Sequence, residues 1–192
     1  MTQPNNAPLK TCIFGIQGSG KTYYAQQAYK QFKKPIVFVV NEGDGWHKLK
    51  GIYVYQCANR HDIKEEFTRF IKEAHKWAEQ GKIDAIIIDE ADLFFTNNFE
   101  IDQTMTDLVT NHRHIGNGVA LWFMTRRPQD IPTRIVESSH YLVIFKLEGF
   151  NAIQRFKDIH PRLPELIYDL TYEKHDYVFK EIGREPEVRN AV

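Results

Sequence analysis

The eight residues Gly15-Ile16-Gln17-Gly18-Ser19-Gly20-Lys21-Thr22 constrain this chain more than any other stretch. They fit the pattern G-x-x-x-x-G-K-[ST], the P-loop. In it a Gly-rich turn wraps backbone N–H groups around phosphate oxygens and delivers them to a helix N-terminus. That chemistry requires a strand before the turn and a helix after it. Leu9 to Phe14 is a short, mostly apolar run that reads as a buried strand, and Thr22 to Phe32 has helical composition without Gly or Pro. In this pattern Lys21 reaches the β- and γ-phosphates and the Thr22 hydroxyl ligates Mg²⁺. The candidate nucleotide-binding residues are Gly15, Gln17, Gly18, Ser19, Gly20, Lys21, Thr22 and Tyr23.

A second pattern supports the first. Ile83-Asp84-Ala85-Ile86-Ile87-Ile88-Asp89-Glu90 is an apolar run ending in two carboxylates, the Walker B pattern. Burial of the run places it centrally in a sheet, and its C-terminal edge sets the acids beside the phosphate loop. Asp89 is then expected to hold Mg²⁺ and Glu90 to polarise or deprotonate the attacking water. Asp92 reads as a cap for the next segment.

The rest of the chain alternates apolar runs with amphipathic stretches. Strands are expected at 35–40, 52–56, 119–125, 140–147 and 176–182. Helices are expected at 61–80, where Ile63, Phe67, Phe70, Ile71, Ala74 and Trp77 recur at spacings of three and four, and at 100–112, 133–138, 151–156 and 161–170. Thr133 is expected to cap its short helix. Asn41 and Glu42 follow a strand at the edge where open α/β sheets bind ligands, whereas Asp44 reads as turn chemistry. Strands alternating with helices predict an α/β fold with a mainly parallel sheet. The expected organisation is a flexible arm at 1–8, one ATPase domain at 9–182 and a polar tail at 183–192.

Composition narrows the partners. Lys plus Arg equals Asp plus Glu, at 25 each, which argues against a generally basic nucleic-acid coat protein. Cys12 and Cys57 form neither a disulfide framework nor a metal-binding spacing, so a reducing compartment is expected. The first eight residues lack the apolar core of a signal peptide, and no apolar run approaches the roughly 20 residues that span a membrane. A soluble intracellular protein is the expectation.

Further motifs carry a family resemblance. Arg113-His114-Ile115-Gly116 and Thr125-Arg126-Arg127-Pro128, followed by Ile131-Pro132, come after the two nucleotide motifs in that order. Together they resemble the HerA/FtsK superfamily of P-loop motors, and most of all the compact genome-packaging ATPases of membrane-containing, double-jelly-roll viruses. The resemblance covers residues 9–160. It implies a RecA-like core with an additional strand between the two motif-bearing strands, and a homo-oligomeric ring, a hexamer or pentamer, that moves double-stranded DNA. Capsid-vertex or viral membrane proteins would be further partners, in the host cytoplasm or the virion. It implies a sensor at Thr125-Arg126 and an arginine finger at Arg113, offered to the neighbour's nucleotide. The family usually carries Gln where this chain has Arg126, so the finger lies either with Arg113 or with Arg126 or Arg127. For DNA contact the candidates are Lys48, Lys50, Arg155, Lys157 and Arg162.

The resulting expectation is Mg²⁺-dependent ATP hydrolysis driving DNA translocation, with Glu90, Lys21, Arg113 and Arg126 as catalytic residues and Thr22 and Asp89 as metal ligands. Three alternatives remain. A Zot-like phage-assembly ATPase shares the signature. A small-molecule P-loop kinase would use the Arg126-Arg127 loop as a lid. A non-motor ATP-binding switch would bind without turnover.

Overall fold

The apolar runs form a sheet covered on both faces, which explains why they are almost uninterrupted by polar residues. The computed structural model describes residues 8–95 and 103–190. The expected arm up to residue 7, the expected turn at Thr96-Asn97-Asn98 and the first residues of the helix expected from Glu100 lie outside the described residues.

The strands are β1 (Lys10–Phe14), β2 (Pro35–Val39), β3 (Tyr53–Gln56), β4 (Ala85–Ile88), β5 (Ala120–Thr125), β6 (Tyr141–Ile144), β7 (Tyr177–Glu181) and β8 (Glu187–Arg189). They form one eight-stranded sheet in the order β3-β2-β4-β5-β1-β6-β7-β8. The first six pair in parallel, and β7 and β8 add on antiparallel. β5 lies between β4 and β1, which is the additional strand that the resemblance implied.

Side chains alternate across the strands, so each strand feeds two cores. On one face Ile13, Val39, Ile87, Met124 and Phe145 pack with Ala25 of helix α1 (Lys21–Ala28) and with Trp46 from the loop after β2. On the other face Phe14, Phe38, Ile88, Phe123 and Ile144 pack with the remaining helices. These are α2 (Ile63–Glu79), α3 (Gln103–Asn111), α4 (Thr133–Glu137), α5 (Phe150–Gln154) and α6 (Leu163–Asp169). The apolar stripe of α2 buries Phe67, Phe70, Ile71, Ala74 and Ala78, and Trp77 packs partly buried against the same core.

Three local expectations are corrected. Residues 183–192, expected as a polar tail, contain β8, which pairs Tyr177 with Arg189 and sets the Arg189 guanidinium 3.7 Å from the Phe179 ring centroid. A short edge strand of Glu-Val-Arg has no apolar period to reveal it; backbone pairing and the cation–π contact hold it. Thr133 does not cap α4. Pro132 takes the N-cap position without a side-chain bond, and the Thr133 hydroxyl accepts from Arg155 at 3.3 Å. Asp92 sits inside the 3-10 turn Ala91–Leu93 rather than capping it, and its Oδ1 is buried without a hydrogen-bond partner.

An aromatic cluster fixes the acidic loop after β4. Phe94 lies immediately after the turn that follows Glu90, and it stacks on Phe67 of α2 with centroids 4.0 Å apart. Phe38 of β2 meets Phe67, Phe70 and Phe94 at 5.3, 5.0 and 5.3 Å. Phe94 is fully buried. Replacing it with Ala removes the ring that joins loop, helix and strand, and is expected to cost about 3–5 kcal/mol of stability. Urea unfolding of Phe94→Ala beside the parent measures this directly.

Candidate active site

The parallel register sets three chain segments at one sheet edge. Phe14 pairs with Thr125 and Ile88 pairs with Phe123, so the segments after β1, β4 and β5 leave the sheet within a few residues of one another. The phosphate loop is pinned to both neighbouring strands: Gly15 N donates to Thr125 O at 3.2 Å, and Ile16 N donates to Lys146 O at 3.0 Å. No side chain fits at the first position of the motif. A Cβ on Gly15 would lie 2.5 Å from Ser19 Oγ and 2.7 Å from Phe145 Cβ.

Lys21 and Thr22 open α1, whose N-terminal N–H groups face the loop and favour an anion there. Lys21 Nζ donates to Ile16 O at 2.9 Å, so the side chain arches over the cradle. Burial lowers the Lys21 ammonium to about 8, opposed by Asp89 and reinforced by Arg126. Ser19 is 2% exposed and its Oγ has no partner. Gln17, Gly18 and Tyr23 lie on the exposed rim.

The carboxylates stand on the adjacent edge. Asp89 is 4% exposed. Its Oδ1 accepts from Glu90 N at 3.0 Å and its Oδ2 accepts from Trp46 Nε1 at 2.9 Å. Burial pushes Asp89 up to about 6; the indole hydrogen bond, Lys21 and Arg126 pull it down, and Asp44 pushes it up. Glu90 adopts φ 52, a left-handed backbone that a non-glycine residue holds only where its surroundings compel it. Asn41 Nδ2 donates to Glu90 Oε2 at 2.7 Å, and the Arg126 guanidinium pairs with Oε1. Arg126 thus stands beside the carboxylate from the end of β5. Thr125 is buried, and its Oγ1 accepts from Arg127 N at 3.1 Å, shaping that turn.

The structure therefore brings together Lys21, Thr22, Asp89, Glu90 and Arg126, and it adds Asn41 from the loop expected there. Glu42 is exposed. Asp44, read as turn chemistry, belongs to the site's electrostatics: burial raises its carboxyl, while Arg126 and Lys21 oppose the rise. Trp46 had no sequence signal beyond being a Trp between Gly45 and His47. Its bond to Asp89 spans 43 positions and exists only through folding.

Arg113 is not at this site. It follows α3, at the opposite edge of the sheet, where its charge acts on Lys10, His112 and His140. The turn it belongs to docks on α2. Gly116 has φ 58, and a Cβ there would lie 2.1 Å from Ala78 O, so the glycine of that motif answers to packing. Two DNA-contact candidates are also engaged elsewhere. Arg155 donates to Pro128 O, to Ile131 O at 2.6 Å and to Thr133 Oγ1 at 3.3 Å, bracing the loop after Arg126-Arg127. Arg162 pairs with Glu185 at 3.3 Å. Lys48 and Lys50 are exposed.

Comparison with known proteins follows the same lines. The model of the ATPase family associated with various cellular activities (AAA) matches residues 11–148. No curated protein matches the sequence. Among solved structures, the DNA-packaging ATPase B204 from Sulfolobus turreted icosahedral virus superposes with a TM-score of 0.81 at 16% identity, over 98% of this chain and 100% of that one. The genome-packaging NTPase B204 from Sulfolobus turreted icosahedral virus 2, in complex with AMPPCP, gives a TM-score of 0.79 at 16% identity, again over 98% and 100%. The pCW3 conjugation coupling protein TcpA, with ATPγS, gives 0.61 at 17% identity, over 96% of this chain and 60% of that one. At these identities the likeness is one of fold, and it agrees with the motor superfamily that the motifs resemble.

The depressed Lys21 has a measurable consequence. An arriving polyphosphate favours the ammonium and raises its pKa again. Above about pH 8, ligand binding must take up a proton at Lys21. Affinity for ATP is therefore expected to hold below pH 8 and to fall by up to about tenfold per pH unit above it. Calorimetric titrations at pH 7.5 and 9.5 check this; equal affinities would mean that Lys21 stays charged in the free protein.

Proposed function

The chain belongs to the ATPase family associated with various cellular activities, and from that premise we propose that it is an ATP-driven translocase of double-stranded DNA that packages a viral genome. The observation carrying this reading is the end-to-end fold match to a packaging ATPase, over 98% of this chain and 100% of that one. Support also comes from the motif order and from the site's charge pattern. No helix among the described residues is long and apolar enough to cross a membrane.

In this reading Lys21 and the N-terminus of α1 hold the phosphates. Thr22 and Asp89 would hold Mg²⁺. One hydroxyl and one desolvated carboxylate fit an ion that keeps waters and arrives with substrate phosphates, and such an ion would neutralise charge on the transferring group. Glu90 accepts the proton of the attacking water. Its Oε1 is paired with Arg126 and its Oε2 with Asn41, and these two donors stabilise the carboxylate and make it a weaker base than a free one. A γ-phosphate competes with Glu90 for Arg126, because a guanidinium binds phosphate and carboxylate alike. Loss of that contact raises the basicity of Glu90. Arg113, exposed at the other edge of the sheet, is offered to a neighbouring subunit's nucleotide in a ring.

Glu90→Gln is expected to lower kcat by about 10²–10⁴-fold while ATP still binds. The parent should hydrolyse ATP without an added acceptor and faster with double-stranded DNA. Acceptor-dependent turnover would favour the kinase reading, and binding without turnover the switch. Mixing Arg113→Ala with Lys21→Ala subunits should restore part of the activity, because mixed rings contain interfaces with both groups intact. Confirmed mixed rings without restoration would remove Arg113 from that role.

A further inference from the structure

We propose that the loop between α6 and β7, through Tyr172 and His175, forms with Tyr23 the wall that binds the nucleobase. This deepens the ATPase reading and rests on it. Lys21 directs the terminal phosphates toward Asp89 and Glu90. The nucleoside must then leave the cradle on the other side, past Gly18 and the first turn of α1. A cavity of about 470 Å³ runs from Lys21 and Thr22 in the cradle past Gly18 and Gly20 to Tyr23 and His175. That volume is within the range of small-ligand sites.

The loop is fitted to the phosphate loop rather than merely near it. The Tyr172 hydroxyl lies so close over Gly18 that a Cβ there would be 2.1 Å from it. His175 Nδ1 lies 3.3 Å from Ser19 O, and the Tyr172 and His175 rings stand 6.1 Å apart at 58°. Both ends of the loop are tethered beside the cradle. Lys146, whose carbonyl receives Ile16 N, donates from Nζ to Tyr168 O at 3.0 Å. Tyr177 packs on Tyr24 and Phe145 with centroids 5.1 and 5.2 Å apart.

Two features suit a flat ligand. Tyr23 and Tyr172 are 57% and 45% exposed, although each carries a large ring. His175 has φ 51, and it shares the left-handed region only with Glu90 among the described non-glycine residues. Backbone strain of this kind gathers at ligand clamps. Aromatic faces at the nucleoside end of a phosphate cradle suit a purine or pyrimidine ring, which stacks on them whatever its identity.

The test separates base from phosphate. Calorimetry of the full chain with Mg²⁺ compares ATP with inorganic tripolyphosphate. Tyr172→Ala and His175→Ala are each expected to weaken ATP roughly five- to hundredfold, the range of one lost stacking partner, while tripolyphosphate affinity stays at the parent level. Tyr172→Phe keeps the ring and should retain ATP affinity. Equal weakening of both ligands would make the loop a prop for the phosphate cradle and overturn the proposal, as would unchanged ATP affinity in both Ala variants. A parent that binds neither ligand would instead bring down the ATPase reading, and this proposal with it.

Discussion

Parallel pairing of β1 and β4 on either side of β5 is the constraint on which the site depends. A parallel sheet places every strand's C-terminal end at one edge, and register decides which residues meet there. Here Phe14 stands level with Thr125, and Ile88 stands level with Phe123. A shift of one residue along β4 would turn Ile86 and Ile88 to the opposite face and move Asp89 away from Lys21. The uninterrupted burial of β1, β4 and β5 makes such a shift prohibitive, because each face carries its own core. Packing remote from the chemistry thus sets the distances between the charged groups.

Those groups are held in a state that calls for a ligand. Burial disfavours the ammonium of Lys21 and the carboxylate of Asp89, although each charge partly offsets the other. A polyphosphate beside Lys21 favours its charged form and relieves that desolvation cost; in the proposed reading a divalent cation does the same for Asp89. Glu90 is restrained by two donors and a left-handed backbone. In the proposed reading these contacts weaken the base until a phosphate draws Arg126 away, which couples turnover to binding.

The phosphate loop, the acidic strand end, the six parallel strands and the apolar stripe of α2 were legible because each is written locally, in spacing and periodicity. The additional strand was implied by the family resemblance, and β5 occupies that place. Features made by contacts between distant positions were not legible. The Trp46 bond to Asp89 and the bracing of Pro128 and Ile131 by Arg155 carry no local pattern. Neither does the approach of His175 to Ser19, across 156 positions. Arg155 shows the general difficulty: a cation in a sequence looks available for a phosphate until folding supplies it with carbonyl acceptors. β8 was missed for a different reason, since three residues pairing through backbone alone need no apolar side chains.

The central claim is that hydrolysis at this edge moves double-stranded DNA. A triplex-displacement assay measures that movement directly, by following release of a third strand from a duplex as the assembled protein advances. The account predicts ATP-dependent release by the parent and none by Lys21→Ala. An assembly that binds the duplex and hydrolyses ATP but never displaces the third strand would contradict it.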